Sequence, residues 1–369
     1  MDKTTDSSDQ RDGFEDSAPE AALTYPLGEG PSVGGPGREI APGVIWLRMP
    51  LGGSLAFINV WAIRDGDAWT LVDTGLQGEN TTEAWQKAFV GPLQGLPVTR
   101  VIVTHMHPDH IGNAGWLTRR FGCKLWITRQ EYLMCRVMAG DTGREAPAEG
   151  IEFYRAAGWD PDALDGYVTR FGGFGKALHA LPDAYRRLID GETLSIGGRE
   201  WKVVTGAGHS PEHACLWCPE LKLFISGDQV LPKITSNVSV FPTEPDGDPL
   251  DDWLTSLAKI RRVVPDDVLV LPAHNDPFVS LHTRVDQLID FHEAALERLQ
   301  ALIAEPKRAV DVFHVLFKRK IFRGNLSPAT GESLAHLNCL MHRGLARRER
   351  DAAGVDWYRA IEAAKGVAA

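Results

Sequence analysis

Residues 101–110 read Val-Ile-Val-Thr-His-Met-His-Pro-Asp-His, an apolar strand that runs straight into three imidazoles and a carboxylate. Side chains alternate along a strand, so an extended path through His107 turns His105 and His107 the same way, where both can ligate one metal. Pro108 favours a turn after that pair, and Asp109 and His110 then open a helix over 111–117 and face the same opening. Packing is a poor reason for three histidines at one strand end, because each buried imidazole needs polar partners.

A closed metal site needs ligands from elsewhere, and other strand ends offer them. His209 follows the 201–205 strand in Gly206-Ala-Gly-His-Ser210, whose glycines would let backbone approach a metal closely. Asp228 follows the 223–225 strand in Ser226-Gly-Asp-Gln229, and His274 follows the 268–271 strand in Leu271-Pro-Ala-His-Asn275. Each alone reads as an ordinary loop residue. The succession strand-His, strand-Asp, strand-His, added to the first cluster, points to a metal centre.

The pattern HxHxDH, then Gly-His, then Asp after a strand, then a final His, resembles that of the metallo-β-lactamase superfamily. The likeness extends to Val72-Asp-Thr-Gly75, which occupies the place of the family's early strand-Asp-x-Gly turn. It spans about residues 38–305 and implies an α/β fold, a four-layer αβ/βα sandwich with the metals at one edge. It also implies that His105, His107 and His209 hold one ion, that Asp109, His110 and His274 hold another, and that Asp228 bridges them with Asp73 behind. The cofactors implied are two divalent metal ions, zinc first, with iron or manganese as alternatives, since His and carboxylate ligands suit all three. Two such ions lower the pKa of a shared water toward about 7 and polarise a substrate oxygen, giving a metal-bound hydroxide that Asp109 would orient. The expected activity is hydrolysis of a small ester or thioester in the manner of hydroxyacyl-glutathione hydrolases. One rival is a phosphodiesterase or ribonuclease of the same fold, and another is a mononuclear iron dioxygenase of the persulfide type. His rather than Glu at the second position departs from the di-iron oxygen reductases of the superfamily. A purely structural metal is disfavoured, since structural zinc is closed by four ligands.

Composition agrees with a globular enzyme: 369 residues, 43% hydrophobic and 24% charged, exclude collagenous, low-complexity and wholly disordered classes. No run approaches the roughly 20 apolar residues that span a bilayer, and the first residues are acidic where a secretory signal would be basic then apolar. A cytoplasmic protein without a membrane partner is expected. Five scattered cysteines predict reduced thiols rather than a disulfide framework, and Cys215 and Cys218, three apart in a strand, should face opposite sides. Short β-type runs alternating with helical spacing, as over 250–260 and 281–302, give a mixed α/β class.

Three segments stand outside that alternation. Residues 1–37 read as a disordered tail, acidic and then Gly/Pro-rich, with the fold beginning near Val44. Residues 129–190 read as a helical insertion rich in aromatics, placed between metal motifs and so a candidate lid. Residues 306–369 show helix, helix and a small basic strand, an order that resembles the winged-helix tail of some superfamily members. Residues 306–350 hold ten Lys or Arg against three acids, against a net charge of -10 for the chain. The favoured partner is a small molecule, with nucleic acid the lesser alternative. Lys233 and Asn237, in the loop after Asp228, are candidates to meet a substrate carboxylate. His213 is either a neighbour of the ligands or a turn residue, and His292 and His336 show no partner pattern.

Overall fold

In the computed structural model, which describes residues 23–53 and 55–361, most strands bury both faces, so each sheet must be covered on two sides. The first sheet begins with β1 (Arg38–Ala41), β2 (Val44–Gly52), β3 (Leu55–Asp65) and β4 (Ala68–Val72). Then come α1 (Glu79–Val90), β5 (Val98–Ile102), α2 (Pro108–Ile111), α3 (Ala114–Phe121) and β6 (Lys124–Ile127). Helices α4 (Arg129–Gly140), α5 (Ala148–Ala156) and α6 (Pro161–Arg170) precede β7 (Tyr185–Arg187). These seven strands pair in chain order, antiparallel through β4 and parallel from β4 to β7.

The second sheet comprises β8 (Thr193–Ile196), β9 (Arg199–Gly206), β10 (His213–Cys218), β11 (Leu223–Gly227) and, after α7 (Pro249–Val263), β12 (Leu269–Pro272). Its order is β12-β11-β10-β9-β8, with β11 and β12 parallel. The chain ends in α8 (Leu281–Leu302), α9 (Phe313–Leu316), α10 (Leu326–His342) and a hairpin of β13 (Ala346–Arg350) and β14 (Asp356–Ala360).

Alternation sorts the side chains into layers. In β2, Val44 and Trp46 join Trp61, Trp201 and Leu216 between the two sheets, whereas Ile45, Leu47 and Met49 join Trp85 and Leu117 under α1 and α3. The outer face of the second sheet packs Phe224 and Val270 against Trp253, Leu257, Leu288 and Leu337 of α7, α8 and α10. Helix, sheet, sheet, helix is the result. Cys215 faces that helical layer and Cys218 the space between the sheets, and all five cysteines are free thiols.

The structure departs from the sequence reading in several places. The acidic stretch 1–22 lies outside the described residues, but from residue 23 the chain is packed rather than disordered. Thr24 bridges Val279, Arg38 donates to the Leu27 carbonyl at 2.6 Å, and Leu23 and Tyr25 lie against the core. The expected helix 111–117 is broken into α2 and α3, because the chain there must hug the Asp73 turn. A Cβ on Gly112 would meet the Gly75 carbonyl at 2.8 Å, and the buried Asn113 amide donates to the carbonyls of Gly75 (3.0 Å) and Leu76 (2.8 Å). The span 129–190 is not all helical, since β7 extends the first sheet. Nor do residues 129–190 line the cavity bounded by Asp109, His209, Asp228 and His274; Tyr154 and Trp159 instead bond Ser327 (3.0 Å) and Thr330 (2.9 Å) of α10. Among the described residues no helix is long and apolar enough to cross a membrane.

Candidate metal centre

Five strands end on one edge of the sandwich, and each delivers a polar side chain there. Asp73 follows β4, residues 104–110 follow β5, and His209, Asp228 and His274 follow β9, β11 and β12. The carboxyl ends of parallel strands open such a crevice in α/β sheets. His107 is extended at φ -60°, ψ 146° before α2, so His105 and His107 do converge, with Nε2 and Nδ1 2.9 Å apart. His209 Nε2 closes the triangle at 3.0 Å from His107 Nδ1 and 3.2 Å from His105 Nε2.

The second grouping is made of Asp109, His110 and His274. His274 Nε2 stands 3.3 Å from Asp109 Oδ2, and His110 Nε2 stands 3.7 Å from the same oxygen. Asp228 lies between the two groups. Its Oδ2 is 3.4 Å from His209 Nε2 and 3.5 Å from His110 Nε2, while its Oδ1 is 3.6 Å from His274 Nε2.

These donor atoms fit a cation better than they fit one another. Three imidazole nitrogens that face each other cannot all be satisfied by protons, and nitrogens on a tetrahedral zinc at ~2.1 Å would lie about 3.4 Å apart. His110 Nε2 and Asp228 Oδ1 are buried with no hydrogen-bond partner. Such orphaned atoms are costly unless something else meets them.

The electrostatics carry the same sense. Burial and the imidazolium of His110 push His105 well below the ordinary histidine range, and burial with His209 pushes His107 down to about 3. Burial also opposes charge on His110 and His274, yet Asp228 and Asp109 outweigh it, raising His110 well above its usual value and His274 to about 10. Burial would raise Asp109 and Asp228, but His110 and His274 hold Asp109 down at about 2 and Asp228 well below the carboxylate range. His105 and His107 thus offer neutral lone pairs, while the half made of Asp109, His110, Asp228 and His274 is anionic enough to retain protons that a divalent ion would displace.

A shell of hydrogen bonds sets these rings. Asp73, at φ 62°, accepts from Thr104 N (2.8 Å) and from His110 Nδ1 (2.8 Å), which points His110 Nε2 at the centre. His209 Nδ1 donates to the Asn237 carbonyl at 2.8 Å, and His213 Nε2 accepts from Asp228 N at 3.1 Å. The glycines before His209 serve another purpose than the one expected of them. A Cβ on Gly208 would strike Trp253 at 2.3 Å and one on Gly206 would strike Gln229 at 2.5 Å, so they permit approach to α7 and the neighbouring loop.

The remaining candidates are placed differently. The Asn237 side chain donates to Glu332 Oε2 at 2.9 Å and borders the cavity, while Lys233 lies over the Tyr25 ring, 5.6 Å from its centroid, and does not line that cavity. The cavity, of about 210 Å3, is bounded by Asp109, His209, Asp228 and His274 and by Phe317, Arg319, Pro328 and Glu332 from the C-terminal unit. Sequence reading missed two further residues. Glu131, fully buried in the first turn of α4, accepts from Met106 N (2.9 Å) and Glu212 N (2.7 Å), tying together the two loops that carry His105, His107 and His209. Asn59 accepts from Trp46 Nε1 (2.7 Å) and donates to the Pro272 and Asn275 carbonyls (2.9 and 2.7 Å), pinning the His274 turn. An Asn inside the apolar run 57–63 was a readable signal; Glu131 had none.

A family model described as the metallo-beta-lactamase superfamily matches residues 53–274, and one described as the metallo-beta-lactamase-like C-terminal domain matches residues 296–361. The crystal structure of a beta-lactamase domain protein from Burkholderia ambifaria is 40% identical, covers 92% of this chain and 98% of its own, and superposes with a TM-score of 0.83. Among curated proteins, a beta-lactamase-like protein 2 homolog of Caenorhabditis elegans is 25% identical over 246 residues, 65% of this chain and 63% of its own length. A human acyl-coenzyme A thioesterase is 24% identical over 203 residues, covering 52% of this chain and 65% of that protein. The chain thus spans a little under two thirds of both curated relatives.

Proposed function

The chain belongs to the metallo-beta-lactamase superfamily, and from that premise we propose that it is a dinuclear metal-dependent hydrolase of a small thioester or ester. The observation that carries this reading is the position of Asp228, within 3.6 Å of histidines from both groups, as a carboxylate shared between two ions must be. His105, His107 and His209 would hold one ion and Asp109, His110 and His274 the other. Divalent ions so held supply Lewis acidity, lowering the pKa of water toward about 7 and polarising a carbonyl oxygen.

The chain's own residues do the rest. Asp109 lines the cavity and is a carboxylate that can orient the attacking water and accept its proton. Asp73 and the Asn237 carbonyl fix the rings of His110 and His209, so ligand geometry does not reorganise during the reaction. A thiol leaves as thiolate at a pKa of about 8.5, so thioester cleavage asks for no strong acid on the leaving side. The carboxylates Asp109 and Asp228 line the cavity, and no strong acid is asked of them. The human relative named as a thioesterase supports the same class.

Against a polyanionic substrate, much of the C-terminal basic surface is already committed. Arg343 pairs with Glu293 (2.7 Å), Arg348 with Asp246 (2.9 Å), and Arg350 with Asp356 (2.7 Å) and Glu152 (2.9 Å). The pairs with Glu293, Asp246 and Glu152 dock the hairpin and α10 onto the body, while Arg350–Asp356 ties the two hairpin strands together, which supports packing over nucleic-acid binding. The test is a panel of thioester, lactone and phosphodiester substrates, and a persulfide under oxygen electrode, with metal counted in the same preparation. We expect thioester turnover that chelation abolishes, two metal equivalents and no oxygen uptake. Faster phosphodiester cleavage, or oxygen consumption with the persulfide that exceeds any hydrolysis, would overturn the reading.

A further inference from the structure

We propose that Arg284 of α8 is a positioning residue for the reaction: its buried guanidinium holds the loop after β11 in place as one wall of the reactive cavity, and so decides which substrates fit there. This rests on the hydrolase reading above and adds to it a residue that itself touches no substrate.

Arg284 stands in the first turn of α8 and is wholly buried. Both circumstances cost stability. A buried cation gives up its hydration, and a cation in the first turn of a helix opposes the positive end of the helix dipole. Its neighbours on α8, Leu281, Val285 and Leu288, fill the apolar core, so packing alone would be served by an aliphatic side chain at 284. A residue that breaks two local rules at once is expected where function requires it.

The guanidinium spends its donors on one loop. Nε donates to the Leu231 carbonyl at 2.6 Å and Nη2 to the Ile234 carbonyl at 3.0 Å. Both carbonyls belong to residues 228–248, a stretch without helix or strand, and no backbone N–H of the described residues bonds to either. A planar fork can span two carbonyls three residues apart in a fixed geometry, which an ammonium cannot. Elsewhere the loop is closed by hydroxyls: Ser226 Oγ donates to the Val230 carbonyl at 2.8 Å, and Ser236 Oγ donates to the Asp228 carbonyl.

The part so held is the part that meets substrate. Leu231, Ile234, Thr235, Ser236 and Asn237 all line the cavity of about 210 Å3 beside Asp109 and Asp228. Leu231 and Ile234, whose carbonyls Arg284 grips, supply the apolar surface of that wall. Three residues beyond Ile234, the Asn237 carbonyl accepts from His209 Nδ1 at 2.8 Å, so the same loop also backs a candidate ligand ring. Loss of the guanidinium frees the wall to shift while Asp109, Asp228 and the histidines stay on their own strand ends.

The test compares Arg284→Lys and Arg284→Met with wild type by calorimetry on metal-loaded protein. The probes are acetohydroxamate, butyrohydroxamate and hexanohydroxamate, which share a metal-binding head and differ only in tail length. Wild type should gain affinity by up to about fourfold for each methylene that the wall covers. In Arg284→Met that gain should fall toward none; in Arg284→Lys part of it should remain, since an ammonium still donates to one carbonyl. Turnover should split the same way. KM for a longer acyl substrate should rise roughly tenfold while kcat per metal-loaded molecule stays within about threefold, the mark of lost binding rather than lost chemistry. Hydrogen exchange, which needs neither metal nor substrate, should quicken at the amides of 229–237 more than elsewhere in both variants. A wild-type dependence on tail length in both variants, with only the melting temperature lowered, would make Arg284 a packing residue and overturn the proposal. Should Arg284→Met not fold, Arg284→Lys carries the comparison, and unchanged tail dependence in it overturns the proposal equally. If wild type binds no hydroxamate, the metal-centre reading is what fails, and exchange then decides on Arg284: quickening confined to 229–237 supports the proposal and a uniform change overturns it.

Discussion

At the scale of single residues, Asp228 and His209 have unequal roles, although both follow a strand and both look alike as isolated loop residues. Besides Asp228, the ligand candidates that His209 meets are His105 and His107, both on one side of the centre, whereas Asp228 meets members of both groups. Asp228→Ala should therefore lose metal from both positions and His209→Ala from one, each without measurable turnover; metal analysis of the purified variants checks the difference. Retention of two equivalents by Asp228→Ala would show that it bridges nothing. Glu131 makes a second case. Its two carboxylate oxygens separately accept Met106 N and Glu212 N, so Glu131→Gln must face one of those buried N–H groups with an NH2. We expect a loss of about 1–3 kcal/mol in stability and roughly tenfold to a hundredfold in metal affinity, read by thermal melts and by chelator competition. An unchanged metal affinity would reduce Glu131 to a packing residue.

At the scale of elements, legibility followed the range of the interaction. The β-type runs at 201–205, 223–225 and 268–271 all became strands, because apolar runs report burial that any sheet of this kind requires. Helix α1 went unread, although Thr81, Ala84, Trp85, Ala88 and Phe89 bury one face at helical spacing. Short β1, β7 and β8 were missed since three- or four-residue strands hold too little pattern, and their pairing is decided by the partner strand. The ligand residues were visible because a metal needs several donors of a few types at strand ends. What holds them was less so: Asn59 showed only as a polar residue in an apolar run and Glu131 not at all, because each acts on backbone brought close only by folding. The segment 129–190 shows the same limit. Adjacency in sequence to the metal motifs suggested a lid, but Tyr154 and Trp159 stack at 4.1 Å and face α10 instead. Trp159→Ala should accordingly cost about 3–5 kcal/mol of stability, the range for emptying a large core side chain, with kcat per folded molecule close to wild type. A drop in kcat with full stability would restore the lid.

At the scale of the whole molecule, the C-terminal unit is fastened to the sandwich by a contact that protons can attack. His292 of α8 and His336 of α10 are both buried, with Nδ1 of the first 3.1 Å from Nε2 of the second and their rings stacked at 5.2 Å. His336 Nδ1 donates to the Glu332 carbonyl at 2.8 Å, and Trp253 of α7 packs edge-on against His292. Burial pushes His336 down to about 4, Arg298 adding to the effect, and burial with His336 pushes His292 well below its usual range. The sign follows from comparing states. Unfolded chain takes up a proton on each histidine below about 6.5, whereas the folded pair stays neutral, so the unfolded state binds more protons as pH falls. Stability from this pair is fully present above about pH 6.5 and is lost progressively down to about pH 4, where His336 itself charges. His336 bonds the carbonyl of Glu332, whose side of α10 walls the reactive cavity, so acid should loosen the cavity's C-terminal side along with the fold. Replacing His336 by Gln, which retains an acceptor and a donor but does not titrate, should flatten the fall of the melting temperature between pH 6.5 and 4 relative to wild type. The measurement is a series of thermal melts across that window on both proteins. Equal slopes would mean that acid sensitivity arises elsewhere and that the histidine pair is an inert part of the helix packing.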